Sequence, residues 1–461
     1  MARGNRVPDG GSQEGQTNAG MQSWPARVDC HVTRMETRPL GRHAPTRFLG
    51  SMMLMLALAA GCDAPESVDV PDAAAAADSG GAAKVAESAR APKPSMSASA
   101  VPGDGPAFKA LSERTQAARL ERFVSMVKGA SEPDADFFSD NLVSNETSYL
   151  HVAGDLSARV PHGGAYIGVG PEQSFSYLAE LSPKVAYIVD IRRDNLRLHL
   201  FYKAAFEAST SRASFVALML GRPAPAEAPD EGDVTAILER ATKAAATEET
   251  FTAAHAELKR RIDAWGLSLS TLDQKRIRDI HHAFFADQLQ LRFSLKEANG
   301  RKYPTLGEVF TATDLRGDMR GFLAKKATFE TVRKLEFEHR VIPVVGDFAG
   351  DSAMPAIARR LKDDGDAVDV FYVSNVEQYL LDPTVWSKWR RNVAALPKSE
   401  GAVFLRAWLD QGRAHPRQQK GHRTATFLAR MDTFEQSQKE RPYPSWWAIA
   451  NDGVIGDAPG P

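Results

Sequence analysis

The stretch YIGVGPEQ, residues 166–173, sets Gly168 and Gly170 between an apolar run and the start of a helical pattern. A glycine turn at such a place lets a ligand approach the backbone, and the helix start adds free N–H groups. Glu172 and Gln173 stand beside the turn as polar groups for orienting a substrate or moving a proton. Three more apolar runs end in a similar way. KVAYIVD ends at Asp190, with Arg192 just beyond, 20 residues after Gly170. An acid at about that spacing can accept hydrogen bonds from ribose hydroxyls. VIPVVGDF ends at Asp347 and Phe348, an acceptor for an exocyclic amine beside a ring that can flank an adenine. VFYVSNVEQY turns polar at Ser374 and Asn375 and continues to Glu377. The plainer alternative is that strands end in polar residues wherever a chain leaves the core.

Other groups carry less chemistry. Asp140, Asn141, Asn145 and Glu146 cluster beside aromatics, which suits a turn and helix cap as well as a site. His281 and His282 are adjacent on a helical pattern, whereas a two-histidine metal face needs positions i and i+4. Ser445-Trp446-Trp447 reads as a packing anchor, with a sugar or membrane contact as the alternative. No G-x-S-x-G elbow and no phosphate-loop lysine motif occurs.

The elements that must position these groups follow from hydrophobic periodicity. GAYIGVG and KVAYIVD have strand character, and EQSFSYLAEL between them is helical, so the three make a βαβ unit with parallel strands. A second helix follows over 191–209, with Leu196, Leu200, Ala204 and Phe206 as its inner positions. Residues 209–334 change in texture to Ala-, Leu- and charge-rich helices, a helical insertion or cap. Alternation then resumes: strand at VIPVV, helix closing at Gly365, strand at VDVFYV, helix at WSKWRRNVAALP, strand at GAVFLRAW. The expected fold is α/β: an open doubly wound, mostly parallel, Rossmann-like sheet with the insertion between its second and third core strands. In such sheets ligands bind outside the carboxyl ends of the strands.

Composition bounds the partners. With 57 basic against 58 acidic residues the net charge is −1, so no global field calls for nucleic acid. Two cysteines, Cys30 and Cys62, exclude a disulfide framework. Arginines, an apolar run from about Phe48 to Ala60 and then LAAGC give residues 1–61 the layout of a signal peptide. The run is short for a membrane span, which needs about 20 apolar residues. Met35 would start a leader of ordinary length. Residues 62–105, rich in Ala, Ser, Pro and Gly, are expected to be a disordered tether. Residues 106–461 are expected to form one α/β domain.

Three resemblances rest on these residues. LAAGC resembles the bacterial lipobox, which implies lipidation of Cys62, attachment to a membrane and a place in the cell envelope. The order of segments resembles class I S-adenosylmethionine-dependent methyltransferases: a glycine turn after the first strand, an acid ending the second, GDF ending the third and FYVSNVEQYL at the fourth. That resemblance implies that Gly168, Gly170 and Asp190 hold the methionine and ribose parts, with Asp347 and Phe348 at the adenine. The methyltransferase motif usually has an acid before its glycines and a third glycine after them; here Tyr166 or Ile167 and Pro171-Glu172 stand there. The wording VSNETSYL, YIGVGPEQSFSYLAEL, AYIVDIRRDN, VVGDFAG and FYVSNVEQYL is also similar to an uncharacterised family of bacterial proteins, over nearly all of residues 136–410. Three functions follow as expectations: a methyltransferase-like enzyme, a module binding another small ligand or a partner, and a structural envelope lipoprotein.

Overall fold

The structure is a computed structural model that describes residues 112–225, 230–296, 300–440 and 443–456. Cys62, the leader and the tether lie outside these residues.

Helices α1 (Glu113–Gly129) and α2 (Ala153–Arg159) precede strand β1 (Ala165–Gly168). Helix α3 (Gln173–Leu181) leads to β2 (Val185–Asp190), closing the expected βαβ unit. Between β2 and β3 run α4 (Arg193–Ala208), α5 (Arg212–Met219), α6 (Val234–Thr242), α7 (Glu248–Ala264), α8 (Thr271–Asp287), α9 (Leu306–Phe310) and α10 (Lys326–Phe337). Alternation resumes with β3 (Val341–Val345), α11 (Ala353–Asp364), β4 (Val368–Ser374), α12 (Pro383–Ala395) and β5 (Lys398–Leu409). The chain closes with β6 (Thr424–Arg430), α13 (Met431–Glu440), α14 (Trp446–Ala450) and β7 (Val454–Ile455).

Seven strands form one sheet in the order β3-β2-β1-β4-β5-β6-β7. The first five are parallel to their neighbours, while β6 runs antiparallel to β5 and β7 antiparallel to β6. Every residue of β1, β2 and β3 is buried, the mark of parallel strands covered on both faces. The strand order reverses between β1 and β4, so the crevice over their carboxyl ends is the topological switch point.

Helix α4 departs from the amphipathic expectation. All residues from Asn195 to Phe206 are buried, not only Leu196, Leu200, Ala204 and Phe206. Its would-be solvent face is covered by the later helices, and the polar residues there find partners inside. Arg197 pairs with Asp273 of α8 at 2.8 Å, and Lys203 with Glu207 at 3.0 Å. His281 of α8 also turns inward: its Nδ1 lies 3.2 Å from His255 Nδ1, and its Nε2 lies 3.1 Å from the Leu218 carbonyl. Trp446 and Trp447 pack on Trp408 of β5, stacked at 6.1 Å and edge-on at 4.9 Å.

Candidate functional site

The four polar strand ends do gather at one edge of the sheet, but most of their groups are already engaged. At the tip of β1, a Cβ on Gly168 would lie 2.5 Å from the Tyr166 ring, so the space the glycine opens is used by that tyrosine. Gly170 has φ +82°, and the space beside it is taken by the Gln173 amide. Asp190, at the end of β2, is closed by its neighbour: Arg192 donates from Nε at 2.9 Å and from its terminal nitrogen at 2.6 Å to the two carboxylate oxygens. Phe348 is buried, stacked on Trp389 at 5.6 Å and edge-on to Phe371 at 4.9 Å. Asp347 accepts from the Ala349 N–H at 2.8 Å, and its own N–H donates to Glu132. Glu377, fully buried after β4, receives both arms of the Arg406 guanidinium at 2.6 and 3.1 Å. Its role is a core ion pair. Asn375 Oδ1 lies 3.3 Å from Ser374 Oγ.

One segment closes this side further. Residues 131–141 cross the carboxyl ends of β3, β2 and β1 as a strap. Glu132 receives backbone N–H groups from Asp347, Ser352 and Ala353 at 2.9–3.0 Å, and so fills the turn before α11. The Ala135 N–H bonds to the Ile191 carbonyl, and Asp134 accepts from the Arg193 N–H. Arg192 reaches the Asp140 carbonyl at 2.7 Å. S-adenosylmethionine therefore does not fit the strand ends as the resemblance draws it: the glycine space, the β2 acid and the β3 turn are each filled by the chain's own groups.

The open space lies on the other side of the switch point. A cleft of about 400 Å³ is lined by Glu146, Thr147, Tyr149, Tyr303, Glu308 and His422 among others. A side chamber of about 180 Å³ shares Thr147, Lys302, Tyr303 and Pro304 with it and adds Asn145, Asp410 and Arg423. Volumes of this order suit a small ligand. The segment carrying Glu146 is pinned to the ends of β4 and the start of β6. Glu146 Oε1 accepts from the Tyr372 hydroxyl at 2.6 Å and from Ser374 Oγ at 2.5 Å. Ser148 Oγ lies 2.7 and 2.9 Å from the hydroxyls of Thr424 and Thr426. Ser374 adopts φ +52°, a left-handed conformation unusual for a residue with a side chain, and this strain aims its hydroxyl at Glu146.

Glu146 is 1% exposed, and burial raises its pKa against the pull of the two hydroxyl donors. Its Oε2 has no hydrogen-bond partner. Nearby Glu172 accepts the Ser144 N–H at 3.0 Å through Oε1, its Oε2 is likewise unpartnered, and burial pushes its pKa up to about 7. On the cleft wall His422 Nδ1 lies 3.1 Å from Thr147 Oγ1, and the ring packs edge-on against His151 at 4.5 Å. Burial lowers the His151 pKa to about 4, which keeps that imidazole neutral at pH 7.

Of the residues singled out in the sequence, Glu146 and Asn145 line these spaces, and Gln173 and Ser374 reach the network: Gln173 Nε2 donates to the Tyr372 hydroxyl at 3.0 Å. The sequence leaves Glu146 open between a site and a turn or helix cap, and it does not single out Thr147, Tyr303 and His422. The available signal was the density of polar residues in NETSY next to a buried core, which periodicity does not score.

The sheet and its crevice define an α/β protein with a mostly parallel, seven-stranded sheet. Residues 141–448 match the family described as a domain of unknown function, DUF7790, and the chain belongs to it. No curated protein matches the chain.

Proposed function

We propose that the protein is a small-molecule-binding module on a Rossmann-like, methyltransferase-like sheet, and that its ligand occupies the cleft beyond the ends of β4 and β5. The observation carrying this reading is Glu146: a buried carboxylate with one unpartnered oxygen, held by strand-end hydroxyls at the wall of a cleft of about 400 Å³. The strand order and the helices between β2 and β3 support the Rossmann-like reading with a helical cap. The test is native mass spectrometry of the full chain as purified, with calorimetry against S-adenosylmethionine and its demethylated product. A co-purifying molecule that is lost in Thr147→Trp, together with no heat from either nucleoside, is the expected result. Micromolar binding of S-adenosylmethionine that Asp190→Asn abolishes would instead establish the methyltransferase reading.

We also propose that Cys62 carries lipid and tethers this domain in the cell envelope. The support is the leader and LAAGC. Among the described residues no helix is long and apolar enough to cross a membrane. Labelled palmitate should attach to the wild-type chain in cells and not to Cys62→Ser; equal labelling of both would remove the anchor.

A further inference from the structure

We infer that the cleft takes a zwitterionic small molecule, with an ammonium seated against Glu146 and an anionic group in the side chamber beside Lys302 and Arg423. The inference rests on the cleft being the binding site. Its first support is the way Glu146 is held. Tyr372 accepts from Gln173, so its own hydrogen is left for Glu146 Oε1, and Ser374 supplies a second donor to the same oxygen. Two donors on one oxygen offset part of the cost that burial puts on the charged form. The other oxygen, stripped of water and unpartnered, needs a donor from outside the chain.

The second support is the charge around it. Among the described residues no cationic side chain forms an ion pair with Glu146; the cleft holds a further carboxylate, Glu308, and Lys302 on the wall it shares with the side chamber. Glu308 is occupied as a helix cap, accepting the Thr305 N–H at 2.7 Å. His151, the imidazole behind His422, is packed in the neutral form. Tyr149 and Tyr303 line the same space, and aromatic faces favour a cation. A buried anion without a counter-charge is unfavourable, and an ammonium supplies one. The side chamber has the opposite balance. Lys302, Arg301 and Arg423 line it, and its one acid among the described residues, Asp410, accepts from the Gly412 N–H and from Gln418 and faces the charge of Arg423. The two spaces are neighbours that share Thr147, Lys302, Tyr303 and Pro304 as lining. A molecule reaching from one to the other meets an acid at the inner end and bases at the outer end.

Four five-carbon probes separate the possibilities by calorimetry on the full chain: 5-aminopentanoate, pentylamine, glutarate and pentane-1,5-diol. The aminocarboxylate should bind at least about tenfold more tightly than any of the other three. Glu146→Gln, which keeps an oxygen for Tyr372 and Ser374, should weaken it about tenfold or more, and Lys302→Ala by a smaller factor. Should Glu146→Gln fail to fold, Lys302→Ala and Arg423→Ala at the exposed mouth carry the comparison. Glutarate or the diol binding as tightly as the aminocarboxylate overturns the inference, and so does silence from all four up to about 10 mM. The cleft reading stands or falls separately, on whether Thr147→Trp displaces the molecule that co-purifies.

Discussion

Four carboxylates end up buried near the tips of the parallel strands, and their partners give them different work. Asp190 and Glu377 are each clasped by an arginine and serve the fold. Glu146 is held by hydroxyls and faces the cleft. Glu172 has one backbone N–H and an oxygen with no partner, and burial raises its pKa from 4.5 to about 7. The consequence for stability has a definite sign. The folded chain keeps the Glu172 proton over a range where the unfolded chain loses it. Stability from this group is therefore full below pH 4.5 and falls as the pH rises to about 7, by up to about 3 kcal/mol. Glu172→Gln removes that loss while retaining an acceptor for Ser144. Denaturant titrations of both chains at pH 5 and pH 8 should show the variant gaining on the wild type by roughly 2–3 kcal/mol between the two. The same difference at both pH values would show that Glu172 does not titrate in this way.

At the scale of elements, the strap 131–141 decides which half of the crevice is open. Glu132 serves three backbone N–H groups around the β3–α11 turn, and it lies more than 200 residues before them in the chain. Glu132→Ala leaves those donors to water and should cost about 1–3 kcal/mol. Hydrogen exchange should quicken at the amides of Asp347, Ser352 and Ala353 and along 132–141, with the cleft residues 302–313 unchanged. Protection that stays as in the wild type would show that the strap is held by other contacts. Helix α4 illustrates the limit of periodicity at this scale. Its inner positions Leu196, Leu200, Ala204 and Phe206 were legible, and the burial of Arg197, His199 and Lys203 was not. Arg197 is buried against Asp273 of α8 and Lys203 beside Glu336 of α10, while His199 turns the other way, to Phe175 of α3 and the Gly170 carbonyl. Nothing within the helix itself signals that covering.

Across the whole molecule, the strands β1 to β5 and the helices between β2 and β3 were legible because burial on both faces leaves continuous apolar runs in the sequence. The antiparallel β6 and β7 were not, since TATFLAR and the two-residue Val454–Ile455 take their strand identity from pairing. The polar corners after Gly168, Val189, Val345 and Val373 were legible as well, as breaks in apolar pattern. What those corners do was not. Glu377 is paired by Arg406, Asp347 is engaged by Glu132, and Glu146 is brought to β4 by Tyr372 and Ser374, more than 220 residues further along the chain. The sequence alone determined a mostly parallel α/β sheet with a line of polar strand ends, because hydrophobic periodicity and turn chemistry are local. Only the tertiary structure decided which of those ends are filled and where the space remains, because the partner of a buried charge is chosen by contact between distant segments.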